Sequence, residues 1–148
     1  MNEDVAARID RLVEIHGEGG AAPTREDWRK IFALGEKPVF ILNLLRFAER
    51  APTEDGEISG AEAYGRYVAG MGASFLRVGG ERLFFGRVGS QFGLAFAEEW
   101  DAAILTRYPN AEALARMWLD PDFIAAHRHR VDGLARSQVL VFEPEASG

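Results

Sequence analysis

Cysteine is absent from this sequence of 148 residues. Without thiols the chain has no disulfide framework, no thiolate zinc site, no iron–sulfur cluster and no cysteine nucleophile. Its length fits one domain, with a core large enough to need no covalent cross-link. A chain without cysteine suits a reducing compartment, and we expect a cytoplasmic protein.

Long apolar runs and concentrated basic charge are scarce as well. The longest apolar run, residues 39–45, is interrupted by Asn43 and is far too short to span a bilayer. The net charge is −6, and the basic cluster at residues 128–130 is short. Nucleic acids need a concentrated basic surface. We therefore expect neither a membrane nor a nucleic acid as partner.

The hydrophobic periodicity divides the chain into a helical start and a mixed remainder. Residues 1–37 predict two helices, with Asn2 and Thr24 as candidate N-caps, and form an N-terminal extension. Residues 38–144 predict the order β-α-β-β-α-β, and residues 145–148 form a tail. The predicted strands are residues 38–47, 81–89, 98–108 and 136–142, and the predicted helices are residues 59–78 and 110–133, the second one broken at Asp120. The segment between the first strand and the first of these helices is predicted to be a polar loop.

This order is that of a ferredoxin-like α+β fold, in which two helices cover one face of a four-stranded antiparallel sheet. The first strand is apolar on both alternating faces, with Leu42 on one and Ile41 on the other. A strand of this kind belongs in a sheet that is covered on both sides. Because two helices cover only one face, we predict that a second copy of the chain covers the other, which makes a homodimer. The N-terminal extension should pack on its own domain or on the partner.

Seven phrases of the sequence resemble one known family. In chain order they are PVFILNLLRF, AYGRYV, GGERL, WDAAILTRYPNAEAL, DPDF, the pair His129-Arg130, and RSQVLVF. Their order and spacing resemble the domain of unknown function 1330 family, within the dimeric α+β barrel superfamily, over residues 38–144. The resemblance implies a ferredoxin-like domain that dimerises, with a site between the sheet and the helices of each subunit. The superfamily includes cofactor-free monooxygenases, haem-degrading enzymes, muconolactone isomerases and plain ligand-binding domains, so the resemblance leaves the reaction open.

The last predicted helix points one histidine inward. Its apolar arc contains Phe123, Ile124, Val131 and Leu134. His127 lies at the centre of this arc, Arg130 lies at its border, and His129 points to solvent. His127 is a candidate general base or haem ligand, but a buried neutral histidine is the more frequent case. Since His127 and His129 are two positions apart on a helix, they cannot bind one ion together, and we expect neither a metal site nor a cofactor.

Arg130 and Asn43 are the other polar residues that the pattern places near the core. Arg130 matches the His-Arg pair of the resembling family and could bind a carboxylate or enolate oxygen through its fork of donors. Alternatively it forms an ion pair with Asp101 or Glu99 that ties helix to sheet. Asn43 could donate to a bound oxygen. A structural hydrogen bond of the Asn43 amide is slightly favoured.

Two tyrosines of the first long helix complete the set. Tyr64 lies at the centre of the apolar face and Tyr67 at its edge, so either hydroxyl could reach the pocket. More often such tyrosines are core residues. Trp100 and Tyr108 are interpreted as packing and dimer contacts.

These observations favour a homodimer that binds a small aromatic or anionic organic molecule. If the protein is an enzyme, we predict a cofactor-independent oxygenase or isomerase, in which His127 moves a proton while Arg130 and Asn43 hold an oxygen. The alternative is a non-catalytic ligand-binding or structural dimer. A roomy cavity on which all three side chains converge would favour chemistry.

Overall fold

The computed structural model describes residues 3–95 and 98–145. Its elements are α1 (Glu3–His16), α2 (Arg25–Phe32), β1 (Val39–Phe47), β2 (Ala51–Thr53), β3 (Gly56–Ile58), α3 (Gly60–Arg77), β4 (Glu81–Arg87), β5 (Ala102–Tyr108), α4 (Ala111–Leu119), α5 (Pro121–Gly133) and β6 (Leu134–Phe142). The main sheet has the strand order β4-β5-β1-β6 and is antiparallel throughout. The predicted ferredoxin-like α+β fold is confirmed. Asn2 and residues 146–148 of the predicted tail lie outside the described residues.

The two faces of the sheet differ in their cover. Helices α3 and α5 pack together over the face that carries Asn43 and Leu45. The opposite face carries an apolar row across all four strands, in the order Phe84, Leu105, Leu42 and Leu140, set by the strand register. Phe84 is 57% exposed and Leu140 is 38% exposed. We call this row the open-face row.

Helices α3 and α5 meet where two glycines leave no room for a side chain. The amide of Ala48, just after β1, donates to the carbonyl of Gly133 at 2.8 Å, and the amide of Gly60 donates to the carbonyl of Ala48 at 3.1 Å. A Cβ on Gly60 would collide with the backbone of Ala48 and lie 2.7 Å from the Gly133 carbonyl oxygen. A Cβ on Gly133 would lie 2.9 Å from the Tyr64 amide nitrogen. The start of α3, the end of α5 and the end of β1 therefore form one tight junction.

The N-terminal extension packs on the chain's own domain. Leu12 and Trp28 are buried, and the Trp28 ring lies edge-on to Trp118 of α4 with 5.7 Å between centroids. His16 Nε2 lies 2.7 Å from the Trp118 carbonyl oxygen. Helix α2 begins with a capping box at Thr24, as its sequence predicts.

The strand predicted over residues 98–108 is wrong at its start, since β5 begins at Ala102. The reason is a side chain: Gln91 Nε2 donates to the Glu98 carbonyl at 2.5 Å, and the Trp100 amide donates to Gln91 Oε1 at 3.1 Å. These contacts use backbone groups that a strand would pair, and they close the neck of the β4–β5 connection. Beyond the neck, the side chain of Phe92 is exposed.

A second difference lies in the predicted polar loop after β1, which contains the short hairpin β2–β3. Its two turn residues are Glu54 and Asp55, and Gly56 begins β3 opposite Thr53. An Asp-Gly dipeptide is typical of hairpins. Within the described residues, no helix is both long enough and apolar enough to cross a membrane.

The glycine junction generates a prediction on stability. Gly60→Ala should lower the free energy of unfolding by about 2 kcal/mol or more, because a methyl group there forces backbone apart. Gly65→Ala, one and a half turns further along α3, is the matched control, since a Cβ there meets nothing within 4 Å. It should raise stability by about 0.5–1 kcal/mol, the usual gain of alanine over glycine in a helix. Urea unfolding of both variants measures this, and equal effects would contradict the role of the junction.

Candidate functional site

Two cavities flank the packed helices on the covered face of the sheet. The larger, of about 1100 Å³, lies between α3 and the edge strand β4 and includes Val68, Met71 and Phe85 in its walls. The smaller, of about 730 Å³, lies between β6 and the N-terminal extension and includes Lys30 and Leu34. We call them the α3 cavity and the extension cavity.

Four side chains line both cavities and form a shared wall: Asn43, Tyr67, Tyr108 and Arg130. Arg130 comes from α5, one turn before the glycine junction, and reaches down to the middle of β1. There its Nη2 donates to Asn43 Oδ1 at 3.2 Å. The structure thus brings together three of the residues predicted from the sequence, Asn43, Tyr67 and Arg130.

Arg130 is only 6% exposed, yet it forms no ion pair with any of the described residues. The two predicted acidic partners are engaged elsewhere. Asp101 Oδ2 accepts the amide of Phe47 at 2.8 Å, and Glu99 lies 3.8 Å from Arg46. The guanidinium is therefore buried among neutral hydrogen-bonding groups.

The tyrosines around Arg130 are neutral phenols. Burial raises the pKa of Tyr64, and Arg130, through its charge and a hydrogen bond to that hydroxyl, opposes the rise. Burial also raises the pKa of Tyr67, and it raises the pKa of Tyr108 to about 12. At neutral pH these hydroxyls keep their protons and can donate them in hydrogen bonds. A buried cation surrounded by neutral donors is a setting that favours an anion.

Tyr108 is the member of the shared wall that sequence reasoning missed, having been interpreted as a packing or dimer contact. It pairs with Val39 at the end of β5 and lies on the helix-covered face, where its ring is 5.5 Å from that of Phe75. Alternation along β5 groups Tyr108 with Ile104 and Thr106. Which face that group occupies depends on the pairing with β1, which alternation alone does not give.

His127 is buried as predicted, with 9% of its surface exposed, but it faces the N-terminal extension. Its ring centroid lies 5.1 Å from that of Trp118 and 5.4 Å from those of His16 and Phe123. A hydrogen bond links it to the backbone of Ala21, and its Nε2 is buried without a partner among the described residues. His127 is not among the residues that line either cavity.

Burial lowers the pKa of His127 to about 4, and the charges of Arg130 and His16 act in the same direction. The imidazole is therefore neutral at pH 7. This geometry favours the interpretation of His127 as a buried neutral histidine, and its catalytic role stays a prediction. The described part of the chain contains no group of three His, Cys, Asp or Glu side chains that could hold a metal ion.

The fold and this site define a ferredoxin-like α+β domain with cavities between its sheet and its helices. No family model matches the chain, and no curated protein matches it either. RPA0582 is a protein of unknown function from Rhodopseudomonas palustris with a crystal structure, and its sequence is 31% identical to this one. The match covers 86% of this chain and 98% of the RPA0582 chain, and the two structures superpose with a TM-score of 0.76. The chain belongs to the family of RPA0582.

Two further solved structures are similar. Methylated RPA0582 is 32% identical, over 88% of this chain and 98% of its own, with a TM-score of 0.75. A dimeric protein of unknown function with a ferredoxin-like fold, from Bacteroides fragilis, is 13% identical over 72% of this chain and 95% of its own, with a TM-score of 0.45.

The setting of His127 generates a prediction on pH dependence. At pH 7, His127→Ala should lower the free energy of unfolding by about 1–3 kcal/mol, because a hydrogen bond is lost and a void is left. As pH falls from about 6.5 towards 4, His127 is protonated in the unfolded chain but stays neutral in the native protein. The wild type therefore loses stability over this range. The alanine variant lacks this loss, and the gap between the two proteins should narrow in acid.

Urea unfolding at pH 7 and pH 4.5 measures the gap. His129→Ala is the control and should change stability by no more than about 0.5 kcal/mol at pH 7. A gap that widens in acid would mean that His127 is charged in the native protein.

Proposed function

We propose that this protein is a homodimer that binds a small organic anion with an aromatic or other apolar part, between the sheet and the helices of each subunit. The single observation that supports the site is the buried Arg130, which lies in the wall of both cavities without an ion-pair partner among the described residues. The resemblance of residues 38–144 to the domain of unknown function 1330 family also favours a site between the sheet and the helices.

The buried charge of Arg130 needs compensation. A guanidinium removed from water is costly unless hydrogen bonds and an opposite charge compensate it. Asn43 and Tyr64 supply neutral partners only. An anionic ligand would supply the missing charge, and the fork of Arg130 donors suits a planar oxyanion. Because Asn43 accepts from Arg130 through Oδ1, its amide nitrogen is the group that can donate to a ligand oxygen.

Binding without catalysis is the case that the geometry favours. The candidate proton acceptor of an oxygenase or isomerase, His127, lines neither cavity, and Asp101 in the wall of the α3 cavity already accepts the amide of Phe47. Tyr67 and Tyr108 keep their protons at neutral pH because burial raises the pKa of each. We therefore propose a ligand-binding dimer, with a cofactor-independent oxygenase or isomerase as the second candidate.

The open-face row supports the dimer. Phe84, Leu105, Leu42 and Leu140 form one apolar band across the sheet. Large apolar patches that stay exposed are typical of interaction surfaces. A second copy turned about a two-fold axis would place the same band against itself and bury both.

Ligand binding can be tested with 2-naphthoate as the anion and 2-naphthalenemethanol as its neutral analogue. We expect the wild type to bind the naphthoate more tightly, and Arg130→Met to weaken that binding by at least about tenfold, as the loss of a charged hydrogen bond does. Arg128→Met, on the exposed side of the same helix, should bind like the wild type. Isothermal titration calorimetry measures all six pairs of protein and ligand. An Arg130→Met variant that binds the naphthoate normally, or a wild type that binds no organic anion, would refute the proposal.

Dimerisation can be tested by light scattering at micromolar concentration. The wild type should give the mass of two chains, and Leu140→Glu should give one, because it places charge in the open-face row. Val131→Glu changes an apolar residue of α5 that is 48% exposed, and it should leave the dimer intact. A monomeric wild type would show that the open face has another role.

A further inference from the structure

We infer that the ligand is a monocarboxylate with an apolar body, which lies in the α3 cavity with its carboxylate on Arg130. This inference rests on the proposed function and narrows it in two respects. It selects one of the two cavities that share Arg130, and it specifies the charge and shape of the ligand. Three independent features of the α3 cavity lead to it.

The first feature is the charge of the two cavities. The α3 cavity is lined by Arg82, Arg87 and Arg130 against one carboxylate, Asp101, which already accepts a backbone amide. In the extension cavity, Lys30 and Arg130 are balanced by the carboxylates of Asp27 and Glu143. The chain as a whole carries a net charge of −6. The α3 cavity is thus a positive site in an acidic protein, and it attracts anions where the extension cavity does not.

The second feature is the depth at which this charge lies. Arg82 and Arg87 belong to the exposed edge strand β4, and Arg82 lies over the ring of Phe85 at 5.8 Å from its centroid. Strand β4 is two strands away from β1, roughly 10 Å across the sheet. Exposed edge charges of this kind keep an edge strand from pairing, and they can draw an anion to the cavity mouth. Of these three arginines only Arg130 is buried. The inner end of the cavity therefore suits a ligand with a single negative charge.

The third feature is the apolar wall between the mouth and Arg130. Large apolar side chains line it: Val68, Met71, Phe75, Phe85 and Ile104. Val68 is 42% exposed and Phe85 is 46% exposed. An apolar body in the cavity would remove this surface from water, at about 25 cal/mol per Å² of apolar area.

The donors at the inner end favour a carboxylate over a phosphate. The Arg130 guanidinium offers parallel N–H bonds to a planar carboxylate. Tyr64 and Asn43, the neutral groups beside it, can add single hydrogen bonds without further charge. A phosphate ester carries up to two negative charges and needs more cationic donors than one desolvated arginine.

The experiment narrows one cavity at a time. Val68→Trp narrows the α3 cavity and Ala33→Trp narrows the extension cavity, both at exposed positions in the respective wall. We expect the affinity for 2-naphthoate to fall at least tenfold in Val68→Trp and to change less than twofold in Ala33→Trp. Val68→Asp and Ala33→Asp repeat the test with charge in place of bulk and should give the same pattern. Thermal unfolding shows which variants are folded.

A second arm varies the ligand on the wild type. The naphthoate should bind more tightly than benzoate, which has a smaller apolar body, and more tightly than 2-naphthyl phosphate, which has the same body on a different anion. Naphthoate binding that survives Val68→Trp and Val68→Asp but is lost in the Ala33 variants would overturn the inference and leave anion binding at Arg130 intact. Tighter binding of benzoate or of the phosphate would also overturn it. A wild type that binds none of these anions would refute the proposed function itself.

Discussion

Where Gly60 meets Gly133, α3 and α5 approach so closely that neither position has space for a methyl group. The end of β1 is hydrogen-bonded into the same point through Ala48. Tyr64 follows one turn after the first glycine, and Arg130 precedes the second by one turn. The Arg130 side chain is therefore held over the middle of β1 at Asn43, and the Tyr64 ring packs against Phe47 at the end of that strand. Because the helices are drawn together over the central strands, the two edge strands keep uncovered flanks, and a cavity forms at each.

The site that results carries a charge of its own. The surface ion pairs of this protein, such as Arg77 with Asp120 and Asp122, are solvated and contribute little to stability. Arg130 differs, because its charge is buried beside uncharged groups, the tyrosine hydroxyls and the amide of Asn43. Replacing such a group by an apolar residue is often neutral or stabilising for a protein. This energetic balance supports the proposal that Arg130 binds an anion rather than stabilising the fold.

The fold and the burial of one face of α5 could be predicted from the sequence. The residues that this face contacts could not. A helical period of 3.6 residues places His127 inside and Arg130 at the border of the inward face, and both side chains are buried. Angle alone does not say what lies opposite, and for His127 it is α1 rather than the sheet. Tyr108 shows the same limit in a strand, where parity groups residues and register assigns the face. The hairpin β2–β3 did have a local signal in the sequence, the dipeptide Asp55-Gly56.

The neck at Gln91 has a consequence for how the chain tolerates change. The Gln91 side chain binds the backbone of Glu98 and Trp100 across the β4–β5 connection. The alignment of the two strands is therefore set outside residues 92–97, which form the tip of this connection. The length of the tip then has no bearing on which residues pair in the sheet. Loops closed at their base in this way are suitable places for inserted segments, since the entropy of a longer loop grows only slowly with its length. An inserted segment after Phe92 should therefore leave the pairing of β4 with β5 unchanged.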